Sequence, residues 1–209
     1  MPRPTVDYSL YYVTGRALLP SSSDPDFYLE HLELALKGGV TVVQIREKDV
    51  DGGEFYEVAR RSKLVCDRVS SVSPACRFVL VGTLMMSSAL QHNVPLFIND
   101  RLDIALLLDC HLHVGQSDLP YPLARTLLGP DRLLGVSVNT PAEMQEILDQ
   151  PKGTVDYVGI GPCFGTQTKK NLNPIVGPRG VRDVLQVLGE SEIKAVVIGA
   201  CGGDNLPKS

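Results

Sequence analysis

Short, continuous apolar runs rich in β-branched residues recur along this chain, and amphipathic stretches separate them. The runs are Leu10–Val13, Val40–Ile45, Val94–Ile98, Leu112–Val114, Leu134–Val138, Tyr157–Ile160 and Ala195–Ile198. Most do not alternate apolar with polar, the pattern of strands in a parallel sheet covered on both faces. The stretches between them carry helix punctuation. Asp24-Pro25 offers an N-cap followed by proline at the first helical position, and Gly38-Gly39 closes that helix. Thr140-Pro141-Ala142-Glu143 predicts a capping box. Repeated strand–helix units of this kind fold as an α/β protein, either a barrel or a doubly wound open sheet. No GxGxxG or Walker-type loop supports the open sheet.

At 209 residues the chain makes one domain, spanning 1–209. A net charge of −4 argues against a general nucleic-acid binder, so an anion site must be a local cluster of cations. No apolar run reaches membrane-spanning length, and Met1-Pro2-Arg3-Pro4 lacks the apolar centre of a secretory signal. Cys66, Cys76, Cys110, Cys163 and Cys201 are odd in number and never spaced as CxxC. Reduced thiols in a cytoplasmic protein are expected.

In parallel α/β folds, ligands sit beyond the carboxyl ends of the strands, and the unusual polar residues collect there. Gln44-Ile45-Arg46-Glu47-Lys48 follows the second strand, Asn99-Asp100-Arg101 the third, and Gly115-Gln116-Ser117-Asp118 the fourth. Ser137 lies in the fifth, and the sixth runs into Gly161 through Lys170. Residues two apart share a strand face, so Gln44, Arg46 and Lys48 can point together. Arg46 offers a planar fork for phosphate oxygens and Lys48 a point charge. Asp100 and Asp118 could share one Mg²⁺, which prefers oxygen ligands. Thr166-Gln167-Thr168-Lys169 supplies hydroxyls, amides and a further cation. Together these would cradle a diphosphate.

Each element also has a plainer reading. Arg46 and Lys48 could be a solvated strand end, Asp100 a helix cap, Asp118 a turn residue beside Pro120, and Thr166–Lys169 an ordinary loop. Their coincidence at successive strand ends favours the diphosphate. His111 and His113 form an HxH pair on one strand face, but no further histidine follows to complete a zinc site.

The chain resembles the thiamine-phosphate synthase family in a series of blocks that keep the family order. They are Tyr12–Thr14, Gly39–Lys48, Val94–Asp103, His113–Asp118, Gly135–Ser137 and Asp156–Pro162 continuing to Lys169. The resemblance implies a TIM-type (β/α)8 barrel. It implies that Gln44, Arg46, Lys48, Asn99, Ser137 and Lys169 hold a hydroxymethylpyrimidine diphosphate. Asp100 and Asp118 then match magnesium ligands, and Thr166 and Thr168 contact a thiazole phosphate. His113 matches a histidine of the pocket without an assigned role. The implied reaction is Mg²⁺-dependent transfer of the pyrimidine to the thiazole nitrogen, giving thiamine phosphate and diphosphate. The implied partners are these two small molecules. The resemblance also leaves room for a homo-oligomer and for a fused hydroxyethylthiazole kinase domain, which some members carry.

Two departures qualify the resemblance. Between Val69 and Gln91 the sole charged residue is Arg77, and Phe78–Val81 is a further strand candidate. Deleting that segment joins Cys66-Asp67-Arg68 smoothly to His92-Asn93-Val94. Every valine codon starts with GT and a glutamine codon can end in AG, so a retained intron is expected in preference to a true insertion. Second, Ile198-Gly199-Ala200 replaces the family's Ile-Gly-Gly-Ile, and no eighth βα unit follows before Ser209. The expectation is a barrel lacking its eighth unit. A tautomerase-like barrel that handles no diphosphate, or an inactive truncated homologue, are the alternatives. Sequencing the mature transcript tests the intron: loss of codons 69–91 is expected, and their retention contradicts it.

Overall fold

The computed structural model describes residues 5–19, 24–48, 50–71, 94–165 and 175–199. The chain divides into two compact units, the first ending at His111 and the second beginning at Leu112. Each is built from parallel strands that follow chain order, with helices between them.

In the first unit, β1 (Tyr11–Thr14) pairs in parallel with β2 (Val42–Ile45), and β2 with β3 (Leu96–Asn99). Val13 lies opposite Gln44, and Gln44 opposite Phe97. A short 3₁₀ turn at Arg16–Leu18 and helix α1 (Pro25–Lys37) lead from β1 to β2. Asp24 caps α1 as its position predicts, accepting from the Asp26 amide at 2.8 Å. Helix α2 (Gly52–Ser71) follows β2, and the short α3 (Leu102–Leu107) follows β3.

The strand read as starting at Val40 starts at Val42. The Val40 amide closes α1 by donating to Ala35, and the Thr41 amide turns to the Leu10 carbonyl. Leu32, Leu36, Val42, Val43, Ile45, Phe97 and Ile98 are fully buried. Each such aliphatic or aromatic side chain contributes about 1.5–3 kcal/mol relative to exposure.

The expected extra segment begins inside α2. Val69 is buried, and the Ser70 hydroxyl accepts the Val94 amide at 3.1 Å, fixing the approach to β3. Residues 72–93, with the Phe78–Val81 strand candidate, lie outside the described residues.

The division between units falls within β4 (His111–Val114), which pairs in parallel with β5 (Leu134–Val138). β5 pairs with β6 (Tyr157–Ile160), and β6 with β7 (Lys194–Val197). Helices α4 (Tyr121–Leu128), α5 (Pro141–Leu148) and α6 (Gly177–Leu188) complete this unit. The box at α5 forms as expected: Thr140 accepts from the Glu143 amide while Glu143 reaches back to the Thr140 amide. Among the described residues, no helix is long and apolar enough to cross a membrane.

A largely shielded ion pair fastens the start of β6. The Arg125 guanidinium donates to Asp156 at 2.5 Å and to the carbonyls of Thr154, Gly129 and Arg132. Asp156 also accepts the Leu134 amide at 2.7 Å, tying β5 to the turn before β6. Both side chains are largely shielded, so removing one partner strands a charge. Asp156→Ala is expected to lower unfolding free energy by about 3 kcal/mol, read by urea denaturation. A change below about 1 kcal/mol would show that the pair is not the fastening it looks to be.

Candidate functional site

The carboxyl end of β2 carries the first cluster. Gln44 is buried, and its side-chain amide donates to the Tyr11 hydroxyl at 2.9 Å. The Arg46 amide donates to the Thr14 carbonyl at 2.8 Å, extending the β1–β2 ladder one residue past β2. With alternation maintained, Arg46 leaves on the same face as Gln44. A Cβ on Gly15 would overlap the Arg46 carbonyl, so only glycine lets the end of β1 approach this closely. The Arg46 side chain is half-buried.

Glu47 takes the opposite face and is buried. Its carboxylate accepts the Arg16 amide at 2.8 Å and meets the Arg16 guanidinium at 3.5 Å. Arg16 also pairs with Glu54 at 2.7 Å. Burial works against the Arg16 cation, but the Glu54 hydrogen bond and the charge of Glu47 outweigh it and raise its pKa. Glu47 therefore anchors the backbone from which Arg46 and Lys48 project. The motif Gln44-Ile45-Arg46-Glu47-Lys48 by itself assigns Glu47 no role. Its odd place in the alternation, with Ile45 rather than Arg46, was the available signal.

At the end of β3, Asn99 is buried. Asp100 adopts φ 63°, a left-handed conformation that aspartate tolerates better than most residues. Its carboxylate accepts from the Lys48 ammonium. Gln44, Arg46, Lys48, Asn99 and Asp100 thus lie at or just past the ends of the neighbouring strands β2 and β3, with Lys48 and Asp100 in contact.

The second unit holds a different arrangement. His113 is buried between two hydroxyls, Tyr157 at 2.7 Å from Nδ1 and Ser137 at 3.0 Å from Nε2. Both ring nitrogens thus face side-chain hydroxyls, the environment of a satisfied core histidine. The His111 ring instead lies 5.0 Å from that of Phe97. Among the described residues, no group of three or more His, Cys, Asp or Glu side chains could hold a metal ion.

Asp118 closes its own turn, accepting the Gly115 amide at 2.8 Å, and the Gln116 side chain donates to the Ser137 carbonyl at 2.6 Å. Asp118 therefore performs the turn role, and its oxygen chemistry also suits a divalent cation. Asp100 belongs to the first unit and Asp118 to the second. Thr166, Thr168 and Lys169 lie outside the described residues, as does Ala200. Cys66, Cys110 and Cys163 are buried, and burial pushes the Cys66 thiol up to about 12. The remaining cysteines, Cys76 and Cys201, are outside the described residues.

Parallel strand–helix repeats define an α/β protein, with cations and carboxamides at the strand ends of its first unit. The thiamine monophosphate synthase family model matches residues 10–73 and 76–209, and the chain belongs to that family. A thiamine-phosphate synthase of Syntrophomonas wolfei is 39% identical over 201 residues, covering 96% of this chain and 80% of that protein. The thiamine biosynthetic bifunctional enzyme of Saccharomyces cerevisiae is 37% identical over 208 residues; the match takes in 97% of this chain but 34% of the yeast protein. Among solved structures, a thiamine phosphate pyrophosphorylase from Pyrococcus furiosus superposes with a TM-score of 0.66 at 26% identity, over 94% of this chain and 77% of that one.

The anchoring of β2 generates a comparison of two carboxylates. The Glu47 side chain is 2% exposed and that of Glu54 48%. Glu47→Ala is expected to cost about 2 kcal/mol, the scale for a buried charged hydrogen bond. Glu54→Ala should cost less than about 1 kcal/mol. Equal effects in chemical denaturation would contradict the anchoring role.

Proposed function

We propose that this chain condenses 4-amino-2-methyl-5-hydroxymethylpyrimidine diphosphate with hydroxyethylthiazole phosphate, giving thiamine phosphate and diphosphate. The observation that carries the reading is the cluster at the ends of β2 and β3. There half-buried Arg46, Lys48 paired with Asp100, and the buried carboxamides Gln44 and Asn99 lie at or just past the ends of two neighbouring strands in a chain of this family.

In the reaction, the bond between the pyrimidine methylene and diphosphate oxygen breaks, and the electron pair leaves with the oxygen. The thiazole nitrogen supplies the pair for the new carbon–nitrogen bond. The protein has to neutralise the charge that grows on the leaving group and hold the two rings in line. Arg46 and Lys48 would meet that charge as cations, with Gln44, Asn99 and Ser137 as neutral hydrogen-bonding partners. Lys169 would add a further cation, and Thr166 and Thr168 would hold the thiazole phosphate. No side-chain nucleophile is required.

Asp100 and Asp118 offer the hard oxygen donors that Mg²⁺ prefers, and they would hold that ion. When bound, Mg²⁺ supplies positive charge to the diphosphate. The parallel strand–helix repeat and the likeness to the Pyrococcus structure support a (β/α) barrel as the full architecture. A cytoplasmic location accords with small soluble substrates and with cysteines that are never spaced as CxxC.

The test is incubation of purified protein with both substrates and Mg²⁺, scoring diphosphate and thiamine phosphate. Product that requires both substrates supports the reading. Isomerised thiazole alone, or no turnover by folded protein, contradicts it. Chelation should abolish turnover and added Mg²⁺ restore it. Asp100→Ala and Lys169→Ala should each slow turnover by at least about a hundredfold, the scale for one preorganised electrostatic contact. Near-normal rates in both would remove diphosphate stabilisation from the account.

A further inference from the structure

The hydroxyl of Ser137 belongs to a small hydrogen-bonded chain whose direction decides what that hydroxyl can offer a ligand. The strand register places His113, Gly135 and Tyr157 in one lateral row, and Ser137 opposite Gly159 in another. A Cβ at Gly135 would overlap the Tyr157 ring, and one at Gly159 would stand 3.2 Å from Cε1 of His113. The two glycines therefore make the room in which the rings lie. Tyr157 and His113 are 0% and 3% exposed, so water does not compete for their hydrogen bonds.

A neutral imidazole carries one N–H and one lone pair, which couples its two contacts. With the proton on Nδ1, the Tyr157 oxygen accepts, Nε2 takes the Ser137 proton, and Ser137 shows a ligand only lone pairs. With the proton on Nε2, Tyr157 donates to Nδ1 and Nε2–H donates to Ser137. The Ser137 O–H is then left to donate outward. A phenol is a stronger acid than an aliphatic alcohol and so the better donor to a ring nitrogen.

A departing diphosphate accepts hydrogen bonds and cannot be served by a hydroxyl that has spent its proton. The geometry points to Tyr157 and His113 as positioning residues that lock the Nε2–H tautomer and so make Ser137 a donor to the leaving group. This inference rests on the proposed reading of Ser137 as a diphosphate contact. Tyr157 is its new element, set where the register brings its ring across Gly135.

Nitrogen-15 NMR of histidine-labelled protein reads the tautomer directly, without substrate. The His113 ring can be assigned by its proximity to the Tyr157 ring. Wild-type protein should show Nε2 protonated and Nδ1 bare. Ser137→Ala should keep that pattern, because Tyr157 still donates. Tyr157→Phe should release the lock and mix the two forms, since no phenol then donates to Nδ1.

In the synthase assay, Tyr157→Phe should lower kcat roughly as far as Ser137→Ala, about a hundredfold, with the KM for the thiazole near wild type. The double variant should be no slower than Ser137→Ala, since both changes remove one donor. A wild-type ring protonated on Nδ1, or on both nitrogens, overturns the inference. So does a Tyr157→Phe protein that keeps Nε2–H and full turnover. Should the wild type make no thiamine phosphate, the functional reading fails and takes the donor role toward diphosphate with it, while the ring tautomer still decides whether Tyr157 locks His113.

Discussion

Alternation along parallel strands in register is the constraint on which the rest of this molecule depends. Side chains two apart share a face, and parallel pairing lines up the same face from strand to strand. In the first unit, Val13, Gln44 and Phe97 form one such row, and Arg46 follows Gln44 on the same face. In the second, His113, Gly135 and Tyr157 form another, with Ser137 and Gly159 in the next. The intervening positions (Val43, Ile45 and Ile98, then Leu112, Val136 and Val158) are apolar and buried. The same period that supplies the core therefore gathers the polar side chains of these strands on the other face.

Burying polar groups costs free energy unless each finds a partner. Gln44 has Tyr11, His113 has two hydroxyls, Ser62 has Val58 and Tyr28, and Glu47 has Arg16. Most of these contacts join one strand or helix to another, so they also hold the elements in register. Glu47 joins the segment after β2 to the turn after β1, and Asp156 joins β5 to the approach to β6. Polar satisfaction and placement of the candidate site are served by the same bonds.

Much of this was legible in the residues. Leu134–Val138 and Tyr157–Ile160 form strands with the expected limits, and the caps at Asp24 and Thr140 form as their motifs predict. The start of β2 was misplaced because α1 captures the Val40 amide, a hydrogen bond that hydrophobic pattern does not encode. Clustering of Arg46, Lys48 and Asp100 at adjacent strand ends was legible because parallel topology aligns carboxyl ends. The Tyr157–His113–Ser137 chain was not, since it depends on lateral register across three strands. That register is set by which residues pair, and the run lengths leave it open. Asp118 combines a turn with the acid chemistry expected of it, and the residue type alone does not separate those roles.

On the proposed reading, Arg46 and its neighbours at the end of β2 receive a diphosphate. Crystals grown with the pyrimidine diphosphate and Mg²⁺ test it most directly. Phosphate oxygens are expected within hydrogen-bonding reach of the Arg46 guanidinium and the Lys48 ammonium. Clear density for the ligand bound elsewhere, with the Arg46 guanidinium left in solvent, would contradict it.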